Sequence, residues 1–132
     1  DGILAVQMPD NWDAATHRIP AEVLDSGDWL DGARAALLRD RLAQPDRYLR
    51  WLQPATTDMW RTTYFQQLGG DDPVWAWVTG SFLRPVLAKL DAEDGDRFSL
   101  QCRALYREAY PSDSSGTTTL PFRRLFLIAQ AT

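Results

Sequence analysis

The side-chain pattern of this chain changes period along its length, and that change limits the folds open to it. From Thr57 to Leu68 the period is two. Asp58, Trp60, Thr62, Tyr64 and Gln66 fall on one face; Met59, Arg61, Thr63 and Phe65 fall on the other. β-Branched and aromatic residues dominate, so the stretch reads as a strand ended by Gly69-Gly70. Two further strands bracket the chain. Ile3-Leu-Ala-Val-Gln-Met8, stopped by Pro9, is the kind of short apolar run that is buried on both faces in parallel sheets. Thr117 to Ala129 reads as a long strand, with Pro121 at a bulge or edge position.

Between the strands the period is helical. In the segment from Asn11 to about Gln53, Asp13 or Thr16 caps a first helix, which Pro20 interrupts or restarts. Ser26-Gly27-Asp28 is a break, after which Leu30, Ala33 and Leu37 recur at helical spacing to about Ala43. Pro45 opens another short helix, Asp46 to Leu52. Asp72-Pro73 combines a carboxylate cap with a proline at the first helical position, and Val74, Trp77 and Val78 follow up to Gly80-Ser81. Leu83 to Leu90 is a further helical piece. A longer helix from about Glu93 carries Phe98, Cys102, Leu105, Tyr106 and Ala109 on one stripe, and Pro111 to Gly116 is a polar loop. The order strand, helices, strand, helices, strand is that of a helix-rich α/β sheet half. An opening strand of the central type, with no helix before it, reads as the start of a fragment.

Composition narrows the function. The 132 residues are enough for one domain with a core, and 45% hydrophobic with 24% charged is ordinary for a globular protein. No apolar stretch approaches the ~20 residues of a membrane span, and the opening residues do not show the charged-then-apolar pattern that suggests a signal peptide. A single cysteine, Cys102, rules out an internal disulfide and fits a reducing cytoplasm. A net charge of -4 argues against a nucleic-acid surface but not against an anionic ligand, because a few buried arginines dominate a pocket locally. The six tryptophans read as core and lid packing. One histidine, with no cysteine cluster, argues against a metal site.

Four segments carry a family resemblance: Leu4-Ala-Val-Gln-Met-Pro-Asp-Asn11, Trp60-Arg-Thr-Thr-Tyr64, Gly80-Ser-Phe-Leu-Arg-Pro85 and Leu120-Pro-Phe-Arg-Arg-Leu-Phe126. In order and spacing they resemble the C-terminal half of the trans-aconitate 2-methyltransferases. The resemblance implies the C-terminal part of a Rossmann-like sheet, with residues 1–9, 56–68 and 117–130 as strands and the last one antiparallel between the other two. Residues 10–54 and 71–90 would form a helical substrate cap, residues 91–110 a long helix, and 1–132 a single fragment. It also implies S-adenosylmethionine as cofactor, a small polycarboxylate as substrate and the cytoplasm as location. The glycine-rich turn that approaches the cofactor lies upstream in this family, and Gly69-Gly70 follows a late strand instead. The cofactor-binding half is therefore expected to be absent, the fragment inactive alone, and the first strand left with an open edge through which copies associate.

Methyl transfer to a carboxylate needs no general base, because the carboxylate is already ionised at neutral pH. The work is positioning, with cations and donors around the other carboxylates of the substrate. Arg84 is the first candidate, flanked by apolar residues; the alternative is a surface arginine. Trp60 and Tyr64 share a strand face, so indole and phenol either point into one pocket or pack the core. Asn11 stands at the end of the first strand, where α/β sheets place ligands, or else caps a helix. His17 either touches substrate or lies on a helix surface. Of Arg123 and Arg124 only one can face inward, and Arg124 is a candidate partner for acidic groups of the sheet's outer layer. A rival reading is a non-catalytic helical binding module with a small sheet; a third is a methyltransferase for another small acid.

Overall fold

The computed structural model describes residues 2–29, 32–37 and 42–132. Along these run three strands and five α-helices: β1 (Ile3–Pro9), α1 (Ala15–Asp25), α2 (Pro45–Trp51), β2 (Thr56–Leu68), α3 (Pro73–Thr79), α4 (Arg84–Leu87), α5 (Ala92–Ala109) and β3 (Thr118–Gln130). A 3₁₀ turn covers Ala35–Leu37. Of the helix expected from Leu30 to Ala43, residues 30–31 and 38–41 lie outside the described residues. Two compact units emerge: a sheet unit of Asp1–Asn11, Arg41–Phe65 and Pro121–Thr132, and a helical unit of Trp12–Asp40 and Gln66–Leu120.

The sheet is antiparallel, in the order β1-β3-β2, so the last strand in sequence is the central one. Ile3 pairs with Gln130 and Pro9 with Arg124, which leaves β3 without β1 as a neighbour before Arg124. Pro121 is tolerated there because no β1 ladder bond is asked of its missing N–H. The burial phase of β3 also shifts by one residue: Thr118 and Leu120 are buried, then Leu125, Leu127 and Ala129. That odd spacing marks a local irregularity between Leu120 and Leu125. Strand β1 departs from expectation. Ile3, Leu4 and Val6 are 72%, 48% and 37% exposed rather than buried on both faces, and among the described residues β1 pairs with β3 alone.

In the helical unit, α1 brings Ile19, Val23 and Leu24, α3 brings Val74 and Val78, and α5 brings Phe98, Cys102 and Tyr106 to one core. The α5 stripe has a spacing of four; Leu105, 37% exposed, and Ala109 fall outside it. Asp91 caps α5, accepting from the Asp94 amide at 2.8 Å.

Helix α1 does not break at Pro20. Proline has no N–H, so the carbonyl of Thr16, four residues back, loses its helical donor. The buried Tyr106 hydroxyl of α5 replaces it, donating to Thr16 O at 2.7 Å. Burial pushes the Tyr106 phenol up, with Cys102 and Tyr110 adding to the effect, so it stays a protonated donor. Neither Asp13 nor Thr16 is the N-cap residue; that position is Ala14, without a side-chain bond. The amide of Thr16 instead donates to the Tyr110 hydroxyl at 3.3 Å. Two phenols therefore satisfy the two backbone groups that the local sequence strands.

The turn into α3 also differs in detail from the sequence reading. Pro73 opens the helix as expected, but the Asp72 carboxylate makes no cap bond. Asp72 sits in the left-handed region at φ 48°. Its side chain, 4% exposed, is held by Arg103 Nε at 2.6 Å and Arg107 Nε at 2.5 Å. The Arg107 hydrogen bond holds the Asp72 carboxyl below the usual carboxylate range; burial opposes it and Arg103 reinforces it.

Two outcomes follow. Tyr106→Phe strands the Thr16 carbonyl and should cost on the order of 1–3 kcal/mol in denaturant unfolding. In a Pro20→Ala background, where a backbone donor returns, the same change should cost measurably less; equal costs would show that the phenol is not covering the proline gap. The second concerns acid. Because the folded pKa of Asp72 is depressed, its stabilisation is present above the unfolded value of 3.8 and is lost as pH falls through the lower folded value. Asn tolerates the left-handed conformation. Asp72→Asn should therefore be less stable than the parent chain at neutral pH, with the gap closing below about pH 4; a gap that stays constant down to pH 2 would refute the assignment.

Candidate functional site

In the helical unit, the first turn of α1 builds a small aromatic enclosure around a histidine. His17 Nδ1 lies 3.0 Å from Thr16 Oγ1. The His17 ring packs on Phe82 with centroids 4.1 Å apart, and meets Trp12 edge-on at 5.3 Å and 61°. Trp12 Nε1 is buried with no hydrogen-bond partner among the described residues. Indole is a donor only, and buried donors are rarely left unpaired. Arg84 is the first residue of α4, two positions beyond Phe82; it is exposed, and its guanidinium makes no hydrogen bond or ion pair among the described residues.

The sheet unit holds the other three sequence candidates. Trp60 lies flat on Phe126, with centroids 5.3 Å apart and an interplanar angle of 7°. Trp60 and Tyr64 of β2 are 40% and 43% exposed. Asn11, directly after β1, is 7% exposed and caps no helix, since the α1 N-cap is Ala14.

Sequence reasoning missed the group beside Asn11. Asp10 Oδ2 accepts from Arg61 Nε of β2 at 2.6 Å, and Arg123 of β3 bonds the Asp10 carbonyl at 2.7 Å while lying 3.5 Å from the same carboxylate oxygen. One acid thus ties all three strands. The alternation of β2 already put Arg61 opposite Trp60, but nothing local joined it to Asp10, 51 positions away. Arg124 faces the other side of β3, as alternation requires. Its partner is not an acid: Arg124 Nε donates to Gln7 Oε1 at 2.8 Å, with its guanidinium 5.5 Å from the Phe122 ring centre. The reason is register, because Pro9 pairs with Arg124 and Gln7 is the next β1 residue on that face.

A separate cavity of about 220 Å³ opens in the helical unit, lined among others by Asp72, Trp75, Arg107, Tyr110, Ser112 and Thr118. None of the five sequence candidates lines it. Cys102 is buried and its thiol is pushed up to about 12 by desolvation, so it is no nucleophile. Among the described residues no helix is long and apolar enough to cross a membrane.

Compared with known proteins, the chain is 43% identical over 134 residues to the Trans-aconitate 2-methyltransferase of Streptomyces coelicolor, a match covering 98% of this chain and 44% of the relative. The protein of the same name from Methylobacterium nodulans is 43% identical, across 99% of this chain and 52% of its own length. That of Klebsiella pneumoniae is 38% identical, across 98% and 50%. No family model matches. The chain spans about half the length of the curated relatives it matches. From end to end of this sequence, then, the chain is a relative of the trans-aconitate 2-methyltransferases.

Proposed function

We propose that this chain is the substrate-cap part of a longer cytoplasmic methyltransferase that esterifies one carboxylate of trans-aconitate or a similar small polycarboxylic acid. The observation that carries the proposal is the 38–43% identity, over nearly the whole chain, to proteins named for that reaction. The chemistry agrees with the residues at hand. A carboxylate nucleophile needs no base, so the protein's task is to orient one carboxylate and neutralise the others. Arg84 supplies an exposed cation that no acid among the described residues claims. His17, Tyr64, Trp60 and Asn11 supply donors and flat apolar surface.

The methyl donor is S-adenosylmethionine, whose sulfonium supplies the transferred group when bound. Residues of this chain do not fit its binding turn: β1 leads into Pro9-Asp10-Asn11 rather than into a glycine-rich turn. No residue here is assigned to the cofactor, and the 132 residues alone are expected neither to bind it tightly nor to turn over.

Methyl transfer from labelled S-adenosylmethionine, measured for the longer protein across di- and tricarboxylic acids, tests the proposal. Turnover of trans-aconitate is expected, with Arg84→Ala raising KM by about tenfold or more for loss of a charge-assisted contact. A folded, cofactor-binding protein that methylates no acid would sink the substrate assignment. Tight binding of S-adenosylmethionine by this chain alone would sink the division of labour.

We also propose that this chain on its own self-associates through β1. The support is its exposed Ile3, Leu4 and Val6, beside an apolar groove of about 360 Å³ lined by Leu52, Ala55 and Ala129. Sedimentation should show a concentration-dependent oligomer that Val6→Lys reduces to monomer; a monomer at every concentration would contradict it.

A further inference from the structure

The cavity of about 220 Å³ in the helical unit has no part in the carboxylate chemistry proposed above, and its lining divides by depth. Val74, Tyr106 and Thr118 are nearly without solvent contact and form its inner end. The polar groups there already have partners. The Tyr106 phenol donates to the Thr16 carbonyl, the Tyr110 phenol accepts from the Thr16 amide, and the Ser112 and Thr118 hydroxyls pair with each other at 2.9 Å. The interior therefore favours apolar contact, to which Trp75 adds aromatic surface. Its size suits a single ring, since an apolar cavity of about 150 Å³ takes up benzene.

The lining groups with bonding capacity left are charged and exposed. Asp72 takes Arg107 through Nε at 2.5 Å and Nη2 at 2.6 Å, which leaves the Nη1 edge of the guanidinium uncommitted among the described residues. Asp71, also exposed, makes no hydrogen bond or ion pair among the described residues and meets Arg107 through its charge alone. With Arg103, which shares Asp72, the two acids and two arginines sum to zero charge. A polyanion would meet Asp71 with no positive surplus to hold it, and a simple amine would meet the guanidinium. A ligand that carries both signs satisfies both open groups.

We infer that this cavity is a binding site for a free aromatic α-amino acid, with its carboxylate on the outer edge of Arg107, its ammonium on Asp71 and its ring inside. A guanidinium edge holds a carboxylate through parallel N–H bonds, and an ammonium, which only donates, suits an acid with no other partner. The site is separate from the substrate contacts proposed for Arg84, and its occupation requires neither S-adenosylmethionine nor turnover.

Titration with L-phenylalanine, followed by backbone nitrogen-15 and amide proton shifts in this chain and in the longer protein, tests the inference. Saturable shifts should centre on residues 70–75 and 106–112, with a Kd on the order of millimolar for a ligand of this size. N-Acetyl-L-phenylalanine lacks the ammonium and L-phenylalanine amide lacks the carboxylate; each should bind about tenfold more weakly or worse. Asp71→Asn removes a carboxylate on which no bond within the described residues depends, so the fold should stand. It should weaken L-phenylalanine about tenfold and abolish its advantage over the N-acetyl form. Absence of a saturable shift at these residues in either protein, equal binding of either analogue, or a preference indifferent to Asp71→Asn would overturn the inference.

Discussion

The hydrogen bond from the Tyr106 hydroxyl to the Thr16 carbonyl is the point on which the helical unit turns. A proline inside a helix costs roughly 3 kcal/mol when its missing donor and its ring clash go unanswered. Here the missing donor comes from another helix, which converts a local defect into a tertiary tie between α1 and α5. The same few atoms explain why α1 continues through Pro20, why Tyr106 is buried with its hydroxyl intact, and why Thr16 sits where its own hydroxyl meets His17. Tyr110, at the end of α5, accepts from the Thr16 amide and completes the clamp.

Carboxylate pairs repeat the same logic in each unit. Asp72, nearly without solvent contact, gathers Arg103 and Arg107 of α5 at the turn into α3. Asp10, 14% exposed, gathers Arg61 of β2 and Arg123 of β3. In both cases one well-shielded acid faces two half-exposed arginines, so the desolvation penalty falls mainly on the acid and is offset by two charge-assisted bonds. Several arginines of this chain are thus committed to its own acids. Among the described residues Arg84 is not, and that separates it from them as a candidate for an external anion.

Much of the architecture was legible in the residues. Period two between Thr57 and Leu68 placed β2, Pro45 and Pro73 marked helix starts, and the i, i+4 series Phe98, Cys102, Tyr106 marked the buried side of α5. Local signals failed where a distant group took over a local role. Asp13, Thr16 and Asp72 all have side chains able to cap a helix, but the capping of Thr16 passes to a tyrosine 94 positions away and the Asp72 carboxylate to arginines 31 and 35 positions away. Burial of β1 failed for a related reason: apolar content says what a strand would bury, and only the layers packed on its two faces decide whether it does.

By itself the sequence determined the class of fold, the order of its elements and the family resemblance, because hydrophobic period, proline placement and short motifs are properties of neighbouring residues. Only the tertiary structure decided which hydrogen-bonding groups meet across long separations. It set the Asp10 tie among three strands, the split of Arg123 and Arg124 between Asp10 and Gln7, and the enclosure of His17 by Trp12, Thr16 and Phe82. The physical reason is that a buried polar group must be satisfied, while its sequence does not say by whom; the nearest partner in space is chosen by packing.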